Sequence, residues 1–328
     1  MGKNTDSLTL VVGGLGYIGS ALVPTLAKTR PVRVFDSMMF GNCLEGTPNV
    51  EFVKGDVRDR QALKDAIIGV RDVVWLAGIV TDELVDMNQQ LSWDINVGAL
   101  EAFCRVAKTR KRRFVYASSS SIYGTQDRVC TEEMTPYPMT AYAKQKLEGE
   151  RVVASYGFES LSVRSATACG PAPRMRLDTI VNIFSKQAYF DGTITVWDGS
   201  QWRSNIHVQD IADLYIKLLD VPYHRPQVYN ATAGNHTALE LAIITAKAFE
   251  ALQGVQTEIV MDKDKRDGRH YRMDASKLKR DLGWEPKRSI RQAVLHNIAH
   301  FAAGNVADPQ DPIYTNTKRM AGFMRTGG

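Results

Sequence analysis

The chain has 328 residues, a length that accommodates two domains or one large α/β unit with an additional lobe. It carries 41 Lys and Arg against 36 Asp and Glu, a formal net charge of +5, and its 44% hydrophobic and 23% charged residues are ordinary globular values. These values exclude a disordered chain, and no apolar run approaches the ~18 residues that a membrane span needs.

Short apolar runs alternate with amphipathic stretches along the first half of the chain. The runs predict strands at Leu8–Val12, Val32–Phe35, Val50–Lys54, Val73–Leu76, Phe114–Ala117 and Leu161–Arg164. The stretches between them predict helices that include Ile18–Lys28, Gln61–Ile68 and Leu91–Lys108. Strands and helices that alternate at this spacing predict right-handed βαβ crossovers and a parallel sheet, and the weak apolar/polar alternation is typical of strands covered on both faces.

The pattern changes after Cys169, where Gly170–Pro173 interrupts it and later elements become shorter. We therefore predict an α/β protein with a Rossmann-like doubly wound parallel sheet in residues 1–168 and a smaller α/β lobe in residues 169–328. The helices predicted at Leu239–Leu252 and Ser289–Ala302 belong to this second lobe. Residues 205–234 are a candidate return to the first sheet.

A glycine-rich turn joins the first strand to the first helix. Gly13, Gly16 and Gly19 have the spacing G-x-x-G-x-x-G. Such glycines allow a tight turn, close approach of the backbone to a pyrophosphate, and packing of the helix on the strand. The N-terminus of the helix then offers N–H groups and partial positive charge to the phosphates.

Acidic and small residues follow the next strands. Asp36 ends the second strand, where a carboxylate accepts both hydroxyls of an adenosine ribose and repels a 2′-phosphate, which favours NAD over NADP. Asp56 and Val57 follow the third strand, where the carboxylate would meet the adenine amino group. The segment Leu76–Gly78 follows the fourth, where its small residues would let the backbone approach the ribose and phosphates.

Tyr142 and Lys146 are four residues apart on a predicted helix, so both side chains face one substrate. A phenol is a poor base at neutral pH, and we expect the neighbouring ammonium to lower the pKa of Tyr142. Tyr142 would then move the proton of a substrate hydroxyl while a hydride passes to or from a nicotinamide ring. Upstream, a strand ends in the four serines 118–121, whose hydroxyls point into the crevice where open α/β sheets bind ligands.

In combination, these motifs resemble the extended short-chain dehydrogenase/reductases, in particular their NAD-dependent nucleotide-sugar epimerase and dehydratase branch. The similarity runs from Gly13 to about Pro286 and includes GGLGYIGS (13–20), DINVG (94–98), SSSSIYG (118–124), YAKQK (142–146), HVQD (207–210) and DASK (274–277).

The resemblance implies that Ser119, Tyr142 and Lys146 are the catalytic residues and that Asn96 contacts the cofactor, NAD. The predicted cofactor contacts are Gly13, Gly16, Tyr17, Ile18, Gly19, Asp36, Asp56, Val57, Leu76, Ala77, Asn96, Ala117, Tyr142, Lys146 and Ala166. It also implies a nucleotide-diphosphate sugar as substrate, with arginines that neutralise the diphosphate. The predicted substrate contacts are Ser119, Ser120, Tyr142, Thr167, Asn182, Arg203 and Arg269.

Three positions depart from the family's patterns. Branches that dehydrate or decarboxylate the sugar carry acidic residues just after the catalytic hydroxyl, where this chain has Ser120 and Ser121. Elimination of water across C5–C6 therefore lacks its proton carrier. Ser121 also replaces the cysteine of certain 3,5-epimerase/reductases, and Thr167 replaces an asparagine that touches the sugar phosphate in many members.

The interpretation that follows is an NAD-dependent epimerase of a nucleotide-diphosphate sugar, acting at C4 through a keto-sugar intermediate. Two alternatives stay open: a reductase of a 4-keto nucleotide sugar that consumes NAD(P)H, and a catalytically silent NAD-binding scaffold. The complete set of serine, tyrosine and lysine argues against the scaffold.

The remaining features predict an ordinary cytoplasmic enzyme. The four cysteines are far apart and lack zinc spacing, so we expect no disulfide framework and no metal. The basic cluster Lys108–Arg113 lacks interleaved aromatic residues and follows a helix C-terminus, so we expect no nucleic-acid partner. We expect His207 to pack at a strand end. The resemblance implies a homodimer that pairs the helices after Leu91 and Tyr142.

Overall fold

The computed structural model describes residues 8–108, 113–222, 226–262 and 270–327. The strands are β1 (Leu8–Val12), β2 (Val32–Asp36), β3 (Val50–Lys54), β4 (Val70–Trp75), β5 (Arg113–Ser119), β6 (Val129–Cys130), β7 (Glu159–Ser165), β8 (Thr167–Cys169), β9 (Thr193–Trp197), β10 (Trp202–His207), β11 (Gln227–Ala231), β12 (Gly234–Thr237), β13 (Glu258–Asp262) and β14 (Arg272–Met273). The α-helices are α1 (Tyr17–Leu26), α2 (Arg60–Ala66), α3 (Asp82–Met87), α4 (Gln89–Trp93), α5 (Ala99–Ala107), α6 (Ala141–Ser155), α7 (Ile180–Lys186), α8 (Val208–Asp220), α9 (Ala238–Gln253), α10 (Ser276–Leu282), α11 (Ile290–Ala302) and α12 (Asn316–Thr326).

A seven-stranded sheet, in the order β11-β7-β5-β4-β1-β2-β3, organises the first lobe. Every pair of neighbouring strands in it is parallel. The chain runs from β1 outward to β3, then crosses to the other side of β1 to form β4, which creates the switch point where open α/β sheets bind ligands. The predicted Rossmann-like parallel sheet is therefore confirmed.

Both faces of this sheet are covered, as the apolar runs predict. Val11 of β1 packs in one apolar cluster with α1 and α8, whereas Leu10 and Val12 pack on the opposite face with α2, α5 and α6. Successive side chains of a strand point to opposite faces, so a strand buried on both sides needs an unbroken apolar run.

The second lobe is built from short strands and three packed helices. β8 and β12 flank β10, and β9 pairs with β13. Helices α7, α9 and α11 share an apolar core with β9. α9 and α11 each begin with a capping box, formed by Thr237 with Glu240 and by Ser289 with Gln292. Within residues 205–234, the structure places β11 at the edge of the large sheet, whereas β10 stays in the second lobe.

The helix predicted at Leu91–Lys108 is interrupted in the structure. α4 and α5 are joined by one wide π-helical turn, Asp94–Gly98, in which the Ala99 N–H donates to the Asp94 carbonyl. The wide turn rotates the helix face and directs Asn96 inward, where the side chain is 3% exposed. The hydrophobic pattern does not reveal the turn because apolar residues continue through it.

None of the helices in the described ranges has both the length and the apolarity that crossing a membrane requires.

Candidate functional site

A cavity of about 1070 Å³ lies between the two lobes, at the carboxyl ends of the parallel strands. Each of the first five strands contributes residues at or just beyond its end. These include Gly13 after β1, Asp36 of β2, Asp56 after β3, Leu76 and Ala77 after β4, and Ser118 and Ser119 of β5. The second lobe contributes Arg174, Arg176, Trp197 and Arg203, among others.

The glycine turn is shaped by close backbone contacts. Gly13 has φ +81°, and a Cβ there would lie 2.5 Å from the Ala77 nitrogen. A Cβ on Gly19 would lie 2.5 Å from the Gly14 carbonyl oxygen. Gly16 is the N-cap of α1 and brings no side chain to its first N–H groups. The turn therefore brings an uncapped helix N-terminus to the cavity wall, which suits a pyrophosphate.

Asp36 lies beside the glycine turn, with one oxygen accepting the Leu15 N–H at 3.0 Å and the other the Met38 N–H at 2.8 Å. Burial raises the pKa of this carboxyl, while the two backbone donors and nearby Arg174 lower it. Each oxygen keeps further acceptor capacity for a ribose hydroxyl.

The other predicted adenosine contacts also line the cavity. Asp56 and Val57 lie at its edge, but the Asp56 carboxylate is paired with Arg58 at 2.6 Å. Ile18, Leu76, Ala77, Ala117 and Ala166 line the same cavity.

Ser119, Tyr142 and Lys146 come together at one end of the cavity. Ser119 and Tyr142 both line the cavity, and Ser119 lies close enough to Tyr142 to lower the pKa of its hydroxyl. Lys146 Nζ donates to the Ala117 carbonyl at 2.8 Å and lies 5.9 Å from the centre of the Tyr142 ring. Thr140 caps α6 through the Ala143 N–H, and the helix then places Tyr142 and Lys146 on one face.

The expectation that Lys146 lowers the pKa of Tyr142 is wrong for the protein without its cofactor. Burial raises the pKa of Tyr142 to about 12, and neighbouring Ser119 and the positive charge of Arg176 only partly offset this rise. The lysine is itself buried, and burial lowers the pKa of Lys146 to about 8. Desolvation disfavours both charged forms and outweighs their mutual effect.

Two residues predicted to contact ligands, Asn96 and Asn182, form hydrogen bonds with other groups of the protein instead. Asn96 Oδ1 accepts the Ile79 N–H at 2.7 Å, and its Nδ2 donates to the Ile79 carbonyl and to Gln145. Asn182 is fully buried, and it donates to Tyr17 and the Arg176 carbonyl and accepts from the Gly170 N–H. Neither side chain lines the cavity. Asn96 acts by fixing the loop after β4, and Asn182 by fixing the start of the second lobe.

Tyr17 lines the cavity, but its hydroxyl points to the second lobe. It donates to the Gly170 carbonyl and accepts from Asn182 Nδ2 at 2.9 Å. Burial raises its pKa. The side chain therefore connects the glycine turn to the lobe that begins near Gly170.

On the substrate side, Ser120, Thr167 and Arg203 line the cavity. The Ser120 hydroxyl is 2.9 Å from the Tyr271 hydroxyl. Arg203 donates to the Trp202 carbonyl at 2.9 Å. Arg269 lies outside the described residues.

Three polar residues near Tyr142 were not assigned from sequence: Arg176, Asp82 and Tyr271. Arg176 lowers the pKa of Tyr142, whereas Asp82 and Tyr271 raise it, and all three line the cavity. Arg176 is also paired with Asp178. Only the folded chain brings Arg176 near enough to Tyr142 for its charge to act on the hydroxyl.

His207 is a structural residue, buried outside the cavity. Its Nδ1 accepts the Gln209 N–H at the start of α8, and its Nε2 lies 3.1 Å from His296 Nδ1. Burial lowers its pKa to about 3, so the ring is neutral. Within the described residues, no group of acidic, Cys and His side chains has the arrangement of a metal site.

This fold and site define a class of dinucleotide-dependent enzymes, and comparison with known proteins specifies the family. The model of the NAD dependent epimerase/dehydratase family matches residues 9–232. The chain belongs to this family, which confirms both the predicted resemblance and NAD as the family's cofactor.

Relatives span several reactions. A putative UDP-glucose 4-epimerase of Methanocaldococcus jannaschii is 26% identical over 309 residues, covering 88% of this chain and 96% of the relative. A dTDP-glucose 4,6-dehydratase of Streptomyces niveus is 25% identical over 326 residues, covering 89% of this chain and 92% of the relative. The structure of Thermus thermophilus UDP-glucose 4-epimerase in complex with NAD has a TM-score of 0.78 and 24% identity, covering 90% of this chain and 99% of that one. The family is thus established, and the reaction is a separate question.

Proposed function

We propose that this protein is an NAD-dependent epimerase of a nucleotide-diphosphate sugar, acting at C4. The observation that carries the proposal is that Ser119, Tyr142 and buried Lys146 line one end of the interlobe cavity together, with Lys146 Nζ 5.9 Å from the centre of the Tyr142 ring. The glycine turn and Asp36 lie in the same cavity, so one cavity provides for both a dinucleotide and a second ligand.

When bound, NAD would accept a hydride from the sugar carbon and return it to the other face. Tyr142 takes the proton of the sugar hydroxyl and gives it back when the keto sugar is reduced, so protons and hydride balance over one cycle. Ser119 would form a second hydrogen bond to the same sugar oxygen. Lys146 supplies positive charge that stabilises the phenolate of Tyr142 once the proton has moved.

The residues after Ser119 favour epimerisation over loss of water or carbon dioxide. The two positions after Ser119 carry hydroxyls and no carboxylate: Ser120 Oγ lies 2.9 Å from the Tyr271 hydroxyl, and Ser121 Oγ donates to Ser119 Oγ at 2.9 Å. The carboxylate of Asp82, at the start of α3, lines the same cavity, and its charge raises the pKa of Tyr142. Arg174, Arg176 and Arg203 give the second lobe positive charge, which suits a diphosphate.

The first test identifies the nucleotide that the purified protein releases on denaturation, by mass spectrometry. We expect near-stoichiometric NAD, and the protein should then interconvert one pair in a panel of nucleotide-diphosphate sugars. An empty site or bound NADPH would favour the keto-sugar reductase. Products that lack water or carbon dioxide would contradict epimerisation.

Tyr142→Phe is the matched variant for this test. Removing the hydroxyl should lower turnover by at least ~100-fold, because the proton loses its carrier, while nucleotide-sugar affinity changes little. Isomer formation by the variant at a rate near that of the native protein would overturn the proposed mechanism.

The proposal includes a cytoplasmic homodimer that pairs α4–α5 and α6 of two copies. Trp93, at the end of α4, is 43% exposed, and such a pairing would cover it. Light scattering on the purified protein should give twice the 36.5 kDa of one chain, and a mass of one chain at micromolar concentration would contradict the dimer.

A further inference from the structure

The C-terminal helix α12 forms part of the cavity wall on the side of the predicted adenosine contacts. Met320 and Phe323 of α12 line the same cavity as Asp36, Asp56 and Val57. The helix contributes no part of the glycine turn or of the catalytic triplet, and no sequence motif marks it.

Hydrogen bonds attach α12 to segments on different sides of the cavity. Arg319 Nε donates to the Met39 carbonyl, after β2, at 2.9 Å. Arg58 Nη1, after β3, donates to the Gly327 carbonyl at 2.9 Å. Asn88 Nδ2, between α3 and α4, donates to the Met324 carbonyl at 3.2 Å. α12 therefore bridges the loops that follow β2 and β3 and the segment that follows β4.

Apolar contacts also pack α12 against the rest of the protein. Met324 is fully buried and Met320 is 7% exposed, in a cluster that includes Leu84 of α3. The guanidinium of Arg58 lies 5.6 Å from the centre of the Phe323 ring. The helix thus presents an apolar and aromatic surface, the kind of surface against which the face of an adenine ring packs.

The start of α12 is tied to the second lobe. Its Asn316 N–H donates to Asp178, and Arg174 donates to Asn316 Oδ1. Arg174 also lies with its guanidinium 3.8 Å from the centre of the Phe40 ring, after β2. α12 and Arg174 together join both lobes across this half of the cavity.

We propose that α12 is a wall of the cofactor site that retains the adenosine half of NAD between turnovers, with Phe323 as its principal contact. This inference rests on the proposed function, since it requires that the cavity binds NAD. Retention suits a redox-neutral cycle, in which the same cofactor molecule accepts and returns the hydride.

The experiment measures the rate at which NAD leaves the full-length protein, by displacement with labelled NAD. We expect Phe323→Ala to raise the dissociation rate about tenfold, the loss expected for one aromatic contact. Arg319→Ala, which removes only the exposed bond to Met39, should raise it a few-fold. Lys318→Ala, an exposed residue of the same helix that does not line the cavity, should leave it unchanged.

Hydrogen exchange provides a second measurement on the native chain. Addition of NAD to the stripped protein should slow amide exchange in residues 316–326. The inference is overturned if this exchange is insensitive to NAD, or if Phe323→Ala and Arg319→Ala both release NAD at the native rate. Should Phe323→Ala unfold, as circular dichroism would show, Arg319→Ala and the exchange data decide.

The results also separate the inference from the proposed function. A native protein that binds no NAD refutes both. A native protein that interconverts nucleotide sugars, and whose NAD release is unaffected by the α12 variants, refutes only the role of α12.

Discussion

Burial acts on Tyr142 and Lys146 in opposite directions but for one reason, since desolvation disfavours whichever form is charged. It raises the pKa of Tyr142 to about 12 and lowers that of Lys146 to about 8. At neutral pH the tyrosine therefore keeps its proton until another positive charge arrives. Without the cofactor, Tyr142 therefore stays protonated. The positively charged ring of oxidised NAD would favour ionisation of the Tyr142 hydroxyl.

The buried charge of Lys146 should lower the free energy of unfolding of the ligand-free protein. Its pKa falls from the ordinary lysine value of 10.5 to about 8, a change worth about 3 kcal/mol against folding at any pH below 8. Lys146→Met also loses the bond to Ala117, so we expect it to raise the free energy of unfolding by about 1–3 kcal/mol at pH 7. Urea denaturation of the stripped protein measures this gain.

The pH dependence of that gain gives the control. Below pH 8 both states of the native chain carry the lysine proton, and between pH 8 and 10.5 only the unfolded state does, so the gain should shrink over this interval. Lys144→Met, on the exposed side of the same helix, should change stability by less than about 0.5 kcal/mol. A gain that is equal at pH 7 and pH 10 would show that the charge is not its cause.

Helix α6 approaches β5 closely because it carries Gly149 at the contact. A Cβ at this position would lie 2.1 Å from the Tyr116 hydroxyl oxygen. Alanine normally stabilises a helix relative to glycine, but here the steric conflict outweighs propensity, and we expect Gly149→Ala to cost about 1–3 kcal/mol.

Gly322 of α12 is the matched control for Gly149. It is helical and exposed, and a Cβ there would meet nothing within 4 Å. Gly322→Ala should therefore stabilise the protein by about 0.5–1 kcal/mol. Thermal unfolding of both variants measures the contrast, and equal effects of the two alanines would refute the packing argument.

Sequence periodicity predicted the strands of the large sheet because each is a local apolar run. The predictions for β1 and β3 agree with the structure at both ends, and β5 extends two residues beyond its predicted end, to Ser119. Elements whose formation depends on distant contacts were not predicted. β6 and β14 are two residues each and exist only because they pair with one another, and α12 has a polar sequence whose few apolar residues pack on α3.

The residues of the site also fall into two groups, those with a local sequence pattern and those that only the fold brings together. The glycine turn, Asp36 and the serine, tyrosine and lysine set have fixed local spacings, and the sequence places them on strand ends and on one helix. Arg176, Asp82 and Tyr271 come from segments almost 200 residues apart, and only the packed lobes bring them to Tyr142. Asn96 and Asn182 bond backbone groups in the structure, because a buried amide in a motif can serve backbone groups as readily as a ligand. Their predicted contacts with cofactor and substrate stay predictions.

Tyr17 makes the two halves of the molecule respond to one another. Its ring lines the cavity beside the glycine turn, and its hydroxyl is bonded to Gly170 and Asn182 of the second lobe. We expect a ligand that fixes Tyr17 in the turn to fix, through these hydrogen bonds, the start of the second lobe as well. By thermodynamic reciprocity, any gain in sugar-nucleotide affinity that NAD produces through this side chain is returned as an equal gain in affinity for NAD.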